Sequence, residues 1–169
     1  LLEKKNLRVI EAPPPGSPLL ELRTIDGGLL VQTADRVTVD RGQWDVATNR
    51  APTDQEWVDL ELAWRLAARV SSNCIVMVKD GQAVGIGAGQ QNRRDAGRIA
   101  ADKADGRAKG GACASDAFFP FSDGLEVAAS AGAAVVIQPG GSVNDSEVIE
   151  AANRLGLAMI VTGERQFRH

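Results

Sequence analysis

Two glycine-rich stretches and one phenylalanine-rich stretch carry most of the chemistry this sequence offers. Gly85-Ile86-Gly87-Ala88-Gly89-Gln90-Gln91 leaves an apolar run and leads into a polar segment with Arg93 at its start. Glycines between a strand and a helix leave backbone N–H groups free for an anion, and an adjacent arginine adds a planar fork of donors. The spacing Gly85-x-Gly87-x-Gly89 is not a dinucleotide fingerprint, because its third glycine comes one residue early. A tight strand-to-helix turn accounts for the same glycines without any ligand. Pro139-Gly140-Gly141-Ser142 poses the same choice: exposed amides for a ligand, or a turn in which Ser142 or Asn144 caps the next helix.

Ser115-Asp116-Ala117-Phe118-Phe119-Pro120-Phe121 concentrates three of the four phenylalanines. Such a run is either a rigid wall on which a flat heterocycle stacks or a hydrophobic plug at a sheet edge. Asp123, just after it, suits hydrogen bonds from ring nitrogens and equally suits the first turn of a helix. Groups for proton transfer are scarce. The single histidine is the last residue, His169, so a Ser-His-Asp or Cys-His arrangement with an internal imidazole is absent from the chain. Cys74 and Cys113 read as buried structural thiols, Lys79 and Lys103 as solvated, and no Cys/His spacing suits zinc.

The elements that must position these groups follow from local signals. Leu7–Ile10 reads as a short strand stopped by Pro13-Pro14-Pro15-Gly16. Leu19–Thr24 and Gly28–Thr33 read as a strand pair turning at Asp26-Gly27, and Asp35 to Ala51 as irregular. Thr53 and Glu56 form a capping box for a helix running to about Val70, with Trp57, Leu60, Trp64 and Ala67 on one stripe and Val58, Leu62 and Leu66 on a second. A hairpin of Cys74–Val78 and Ala83–Ile86 turns at Asp80-Gly81, and a helix over Asn92–Ala104 follows. Beyond the flexible Asp105–Gly111 loop come a strand ending at Ala114, a helix Ser122–Ser130, a strand Ala133–Ile137, a helix Asn144–Leu155 and a strand Ala158–Val161. Gly132 and Gly156 stand where a helix hands over to a strand. The expected fold is α/β, a mixed sheet flanked by helices.

At 169 residues, with 44% hydrophobic and 24% charged residues, the chain is sized for one globular domain. A net charge of −3 with dispersed Lys and Arg argues against a nucleic-acid partner. Two cysteines are too few for a disulfide scaffold and suit a reducing cytoplasm, and no apolar stretch reaches the roughly 18 residues of a membrane span. The start Leu1-Leu2-Glu3-Lys4-Lys5, without an initiator methionine, reads as the start of a fragment.

Ser72-Asn73, Gly85–Gln90, Ser115–Phe121 and the ending Arg165-Gln166-Phe167-Arg168-His169, in this order, together resemble one family, the bifunctional AICAR transformylase/IMP cyclohydrolases of purine biosynthesis. The resemblance runs from Lys4-Lys5-Asn6 through Gly27–Gln32 to the end, essentially the whole chain, and the short Lys103–Gly111 segment is similar to bacterial members. It implies that residues 1–169 are the second, cytidine-deaminase-like repeat of the transformylase domain, with the cyclohydrolase domain and the first repeat absent. The implied reaction moves a formyl group from 10-formyltetrahydrofolate to AICAR, giving FAICAR, which the parent protein cyclises to IMP. The family's Lys-His pair belongs to the first repeat, so the fragment alone is expected to be inactive. The resemblance further implies a catalytic Asn73, AICAR contacts from Arg93, Phe118 and Arg165, and folate contacts from Asp123, Pro120, Ser142 and Val143. A potassium ion in some members matches Ser72, Asp116 and the segment beside His169; zinc is not implied. It also implies a cytoplasmic homodimer with a composite active site, without nucleic-acid or membrane partners. A non-catalytic α/β module that dimerises or binds ligand is the alternative, and a deaminase-like hydrolase lacks its metal ligands.

Overall fold

Asp26-Gly27 reverses the chain as expected. The computed structural model, which describes residues 8, 10–13, 16 and 19–168, pairs β1 (Leu20–Ile25) antiparallel with β2 (Gly28–Thr33), with Gly27 at φ 74°. The chain divides into two compact units between Arg36 and Val37, and this hairpin belongs to the first. The expected strand at Leu7–Ile10 lies largely outside the described residues; Arg8 and Ile10 themselves are in no strand.

The second unit is built on a six-stranded mixed sheet. Its strands are β3 (Asp45–Val46), β4 (Ile75–Lys79), β5 (Gln82–Gly87), β6 (Ala112–Ser115), β7 (Val135–Gln138) and β8 (Ala158–Val161), in the spatial order β3-β8-β7-β6-β4-β5. One face is covered by α1 (Asp54–Ala67), the other by α2 (Arg93–Ala104), α3 (Ser122–Ser130) and α4 (Asp145–Arg154). Strand alternation divides the core accordingly. Val76, Val78, Ala114, Ile137 and Ile160 join Leu60 and Trp64 of α1, while Ile75, Met77, Cys113, Val136 and Met159 join Ala96, Leu125 and Val148 from the other helices.

Local chemistry explains most boundaries. Both halves of the capping box form at α1: Thr53 Oγ1 accepts from the Glu56 amide at 3.3 Å, and Glu56 Oε2 accepts from the Thr53 amide at 2.8 Å. The helix ends at Ala67, short of Val70, and its second stripe is only partly covered: Val58 is exposed, and Leu62 and Leu66 lie at the margin of the cluster. The segment expected to be irregular holds a 3₁₀ turn (Arg41–Gln43) and β3, which pairs antiparallel with β8. A two-residue strand has no periodicity to read; β8 alone makes it one. Arg50 fastens this segment through paired bonds to Glu56, at 2.8 and 3.2 Å, and through donation to the Gly156 and Ala134 carbonyls.

Gly85 and Gly87 are settled by packing. A Cβ on Gly85 would lie 2.0 Å from the Ala100 carbonyl oxygen, and one on Gly87 would lie 1.9 Å from that of Ala96. These glycines let α2 lie directly on β5; only Gly89, at φ 64°, serves the turn.

Candidate binding site at the carboxyl edge of the sheet

Strand direction decides what can meet. β5 and β6 both run antiparallel to β4, and β6, β7 and β8 are mutually parallel, so four strands end at one edge and β4 begins there. The loops after β5, β6, β7 and β8 and the Ser72-Asn73 approach to β4 are therefore neighbours. Ligands in open α/β sheets sit at such an edge, where helix N-termini gather.

Asp116, wholly buried just past β6, is the hub. Its Oδ1 receives the Arg93 guanidinium at 3.2 Å, its Oδ2 accepts from the Ser72 hydroxyl, and its carbonyl accepts the Gln166 amide at 2.9 Å. Arg93 also donates through Nε to Ser115 Oγ at 3.2 Å and lies 5.9 Å above the Phe167 ring. Ser72 N–H in turn donates to the Arg168 carbonyl at 2.7 Å, so the C-terminal segment is stitched to the start of β4. The Ser72–Asn73 peptide is cis. Asn73 donates through Nδ2 to the Gln90 carbonyl at 2.9 Å, and its side-chain oxygen accepts nothing among the described residues.

The phenylalanine run divides its labour. Phe119 is fully buried and its amide donates to Gln138 Oε1 at 2.8 Å, which is the plug. Phe118 faces the edge, with the exposed Arg165 guanidinium 5.0 Å above its ring. Phe121 is exposed. Asn144 does not cap α4 with its side chain; it donates to the Pro120 carbonyl at 2.8 Å, tying the Pro139–Ser142 turn to the wall. Ser142 Oγ accepts from the Asn144 amide, and Val143 is fully exposed.

Arg93, Arg94, Pro120, Phe121 and Asp123 line a cleft of about 750 Å³ between α2 and the start of α3. The edge thus gathers the expected residues into linked groups: Arg93, Pro120 and Asp123 in the cleft, Phe118 against Arg165, and Ser72 with Asn73 beside Asp116. Sequence reasoning gave no role to Ser115, Gln166 or Phe167 in holding Arg93 and Asp116. Their partners lie 22 to 74 positions away, beyond the reach of any spacing rule.

Burial, with the Asp116 charge nearby, pushes the Cys74 thiol up to about 12, and burial alone does the same for Cys113. Neither is a nucleophile at neutral pH. Lys79 pairs with Asp80 at 2.9 Å, and Lys103 donates to the Ile86 carbonyl at 3.1 Å. Among the described residues no group of three or more His, Cys, Asp or Glu is placed to hold a metal ion, and no helix is long and apolar enough to cross a membrane. For a monovalent ion the surroundings of Asp116 fit in one respect: Gln166, hydrogen-bonded to it through the backbone, keeps a buried Oε1 with no donor among the described residues.

These features define an α/β protein with a mixed sheet whose carboxyl edge is lined by arginine and phenylalanine. The chain belongs to the AICARFT/IMPCHase bienzyme family, whose family model matches residues 1–103. It is similar to the bifunctional purine biosynthesis protein PurH of Paracoccus denitrificans (strain Pd 1222), at 51% identity over 98% of the chain and 34% of that protein. The protein of the same name from Desulfitobacterium hafniense (strain DSM 10664 / DCB-2) is 48% identical over 100% of the chain and 33% of its own length. The chain therefore spans about a third of these relatives.

Proposed function

We propose that this chain supplies substrate-binding groups for folate-dependent formylation of AICAR within a longer purine-biosynthesis enzyme. The supporting observation is the hub: one buried carboxylate, Asp116, holds Arg93, Ser72 and the segment leading from Arg165 in fixed relation. A flat imidazole carboxamide stacks on Phe118, and Arg165, exposed above that ring, meets its phosphate. The folate pterin occupies the cleft at Pro120 and Asp123, and Ser142 and Val143 reach it from the turn that Asn144 ties to the Pro120 carbonyl. In the transfer, the AICAR 5-amino nitrogen bonds to the formyl carbon, the bond from that carbon to folate N10 breaks, and the proton lost by the amine ends on N10. Asn73 presents its unengaged amide oxygen to orient the carboxamide or the amine.

Ser72, Asp116 and Gln166 would hold a potassium ion through a hydroxyl, a carboxylate and an amide oxygen. The proton acceptor comes from the first repeat, across a homodimer interface, so the chain alone binds without turning over. Calorimetric titration of AICAR tests this. Wild-type binding that falls at least tenfold on Arg165→Ala, together with loss of turnover on Asn73→Ala in the full-length protein, is expected; unchanged turnover on Asn73→Ala overturns the role of that residue. The buried Phe119 and the packing glycines Gly85 and Gly87 favour a second reading, a non-catalytic module, and a folded chain that binds neither AICAR nor a folate would establish it.

A further inference from the structure

Gln138, the last residue of β7, is wholly buried, an uncommon place for a carboxamide. Its partners explain the burial. Oε1 accepts the Phe119 amide at 2.8 Å, Nε2 donates to Met159 Sδ at 3.4 Å, and the Gln138 carbonyl accepts the Thr162 amide at 2.9 Å. Core packing holds the Phe119 ring in place but leaves the plane of the preceding peptide undetermined. The N–H that Gln138 receives belongs to the planar unit joining Phe118 to Phe119, so this bond fixes the direction in which the Phe118 side chain leaves the chain. On the other side of Gln138, the Thr162 hydroxyl accepts the Glu164 amide at 3.2 Å and donates to the Glu164 carbonyl at 3.1 Å, which turns the chain into Arg165. Both halves of the Phe118–Arg165 pair, 5.0 Å apart, therefore trace back to one residue.

We infer that Gln138 is a positioning residue for AICAR. Its side chain aims Phe118, and its backbone anchors the segment that carries Arg165, so that ring and guanidinium form one site. The inference rests on the AICAR reading of that pair and deepens it. Substitution removes only the side-chain half of this arrangement. Pro120, two residues beyond Phe118, has a tie of its own, since its carbonyl accepts from Asn144 Nδ2 at 2.8 Å. Loss of the Gln138 bond therefore frees the wall for the imidazole, while the cleft at Pro120 keeps independent support.

Steady-state kinetics of the full-length protein, with AICAR and 10-formyltetrahydrofolate varied in turn, test this. Gln138→Met keeps the length of the side chain but offers only a weak acceptor. It should raise the KM for AICAR about tenfold, the worth of one buried hydrogen bond, and leave kcat and the KM for the folate within about twofold. Gln138→Asn, one methylene too short to reach Phe119, should do the same and replaces the methionine variant if that does not fold. Gln138→Glu keeps an oxygen acceptor at the same reach and should bring the KM for AICAR to within about threefold of wild type. Folded Met or Asn variants with an unchanged KM for AICAR, or with both KM values raised alike, overturn the inference, as does failure of Gln138→Glu to rescue. If neither the Met nor the Asn variant folds, Gln138 serves stability alone and the inference is overturned as well. A wild-type protein that neither uses nor binds AICAR overturns the AICAR reading, and this inference with it.

Discussion

Gly87→Ala joins the packing of the sheet to the chemistry at its edge. The added methyl would lie 1.9 Å from the Ala96 carbonyl oxygen, 2.7 Å from its carbonyl carbon and 3.0 Å from its Cα. These are backbone atoms, so no rotamer change relieves the clash. Restoring ordinary contact requires α2 to withdraw by about 1.5 Å. Overpacking by one methyl costs typically 1–3 kcal/mol, and an obstacle that cannot rotate aside puts this case near 3 kcal/mol. The displaced turn is the one that carries Arg93, whose Nη2 stands 3.2 Å from Asp116 Oδ1. A shift of that size breaks the pair, and AICAR affinity should fall about tenfold, the worth of one charge-assisted hydrogen bond. Gly81→Ala is the control: at φ 73° with nothing within 4 Å, it incurs only left-handed strain of about 1–2 kcal/mol and does not move α2. Urea unfolding followed by circular dichroism gives the stability, and titration calorimetry gives the affinity. A Gly87→Ala protein within about 0.5 kcal/mol of wild type, binding AICAR equally well, would refute the argument that α2 rests on bare backbone.

The remaining expectations concern stability and reactivity. Asp59, buried in α1, accepts the amides of Asp80 at 3.0 Å and Gly81 at 2.8 Å, so Asp59→Ala should lower stability by about 2–4 kcal/mol, read as a reduced urea midpoint. Burial pulls the Glu56 carboxyl upward, but the bonds from Arg50 and Thr53 outweigh it and hold the group below its usual value of 4.5. The folded state therefore binds this proton less readily than the unfolded chain. Its stabilisation is complete above about pH 4.5 and is lost as pH falls through the lowered value, a slope in unfolding free energy that Glu56→Gln should remove. With thiols at about 12, Cys74 and Cys113 should resist a chromogenic disulfide at pH 8 in the native chain and both react once it is unfolded in urea. Rapid labelling of the native chain would show that the core around β4 and β6 opens readily.

Much of the fold was legible because its signals are short-range. The capping box at Thr53, the turn pairs Asp26-Gly27 and Asp80-Gly81, and the left-handed Gly132 and Gly156 act within four or five residues, and each marks a boundary found in the structure. The candidate site was legible as residue types but not as geometry. Gly85 and Gly87 have the look of a ligand loop, yet contact with α2 alone requires them. Among the phenylalanines no spacing distinguishes the plug, Phe119, from the wall, Phe118; the Gln138 side chain beneath one and Arg165 above the other do.

What the amino-acid order determined alone is therefore most of the helices and strands and the residue types, arginine and phenylalanine, that line the sheet edge. Turns, caps and periodicity are local free energies, complete within a few positions. Only the tertiary structure decided that β3 exists at all, that β5 joins the direction of β6, β7 and β8, and that Asp116 gathers Arg93, Ser72 and Gln166. Those outcomes depend on contacts between segments far apart in the chain, whose strength is set by burial against one another rather than by any neighbour in sequence.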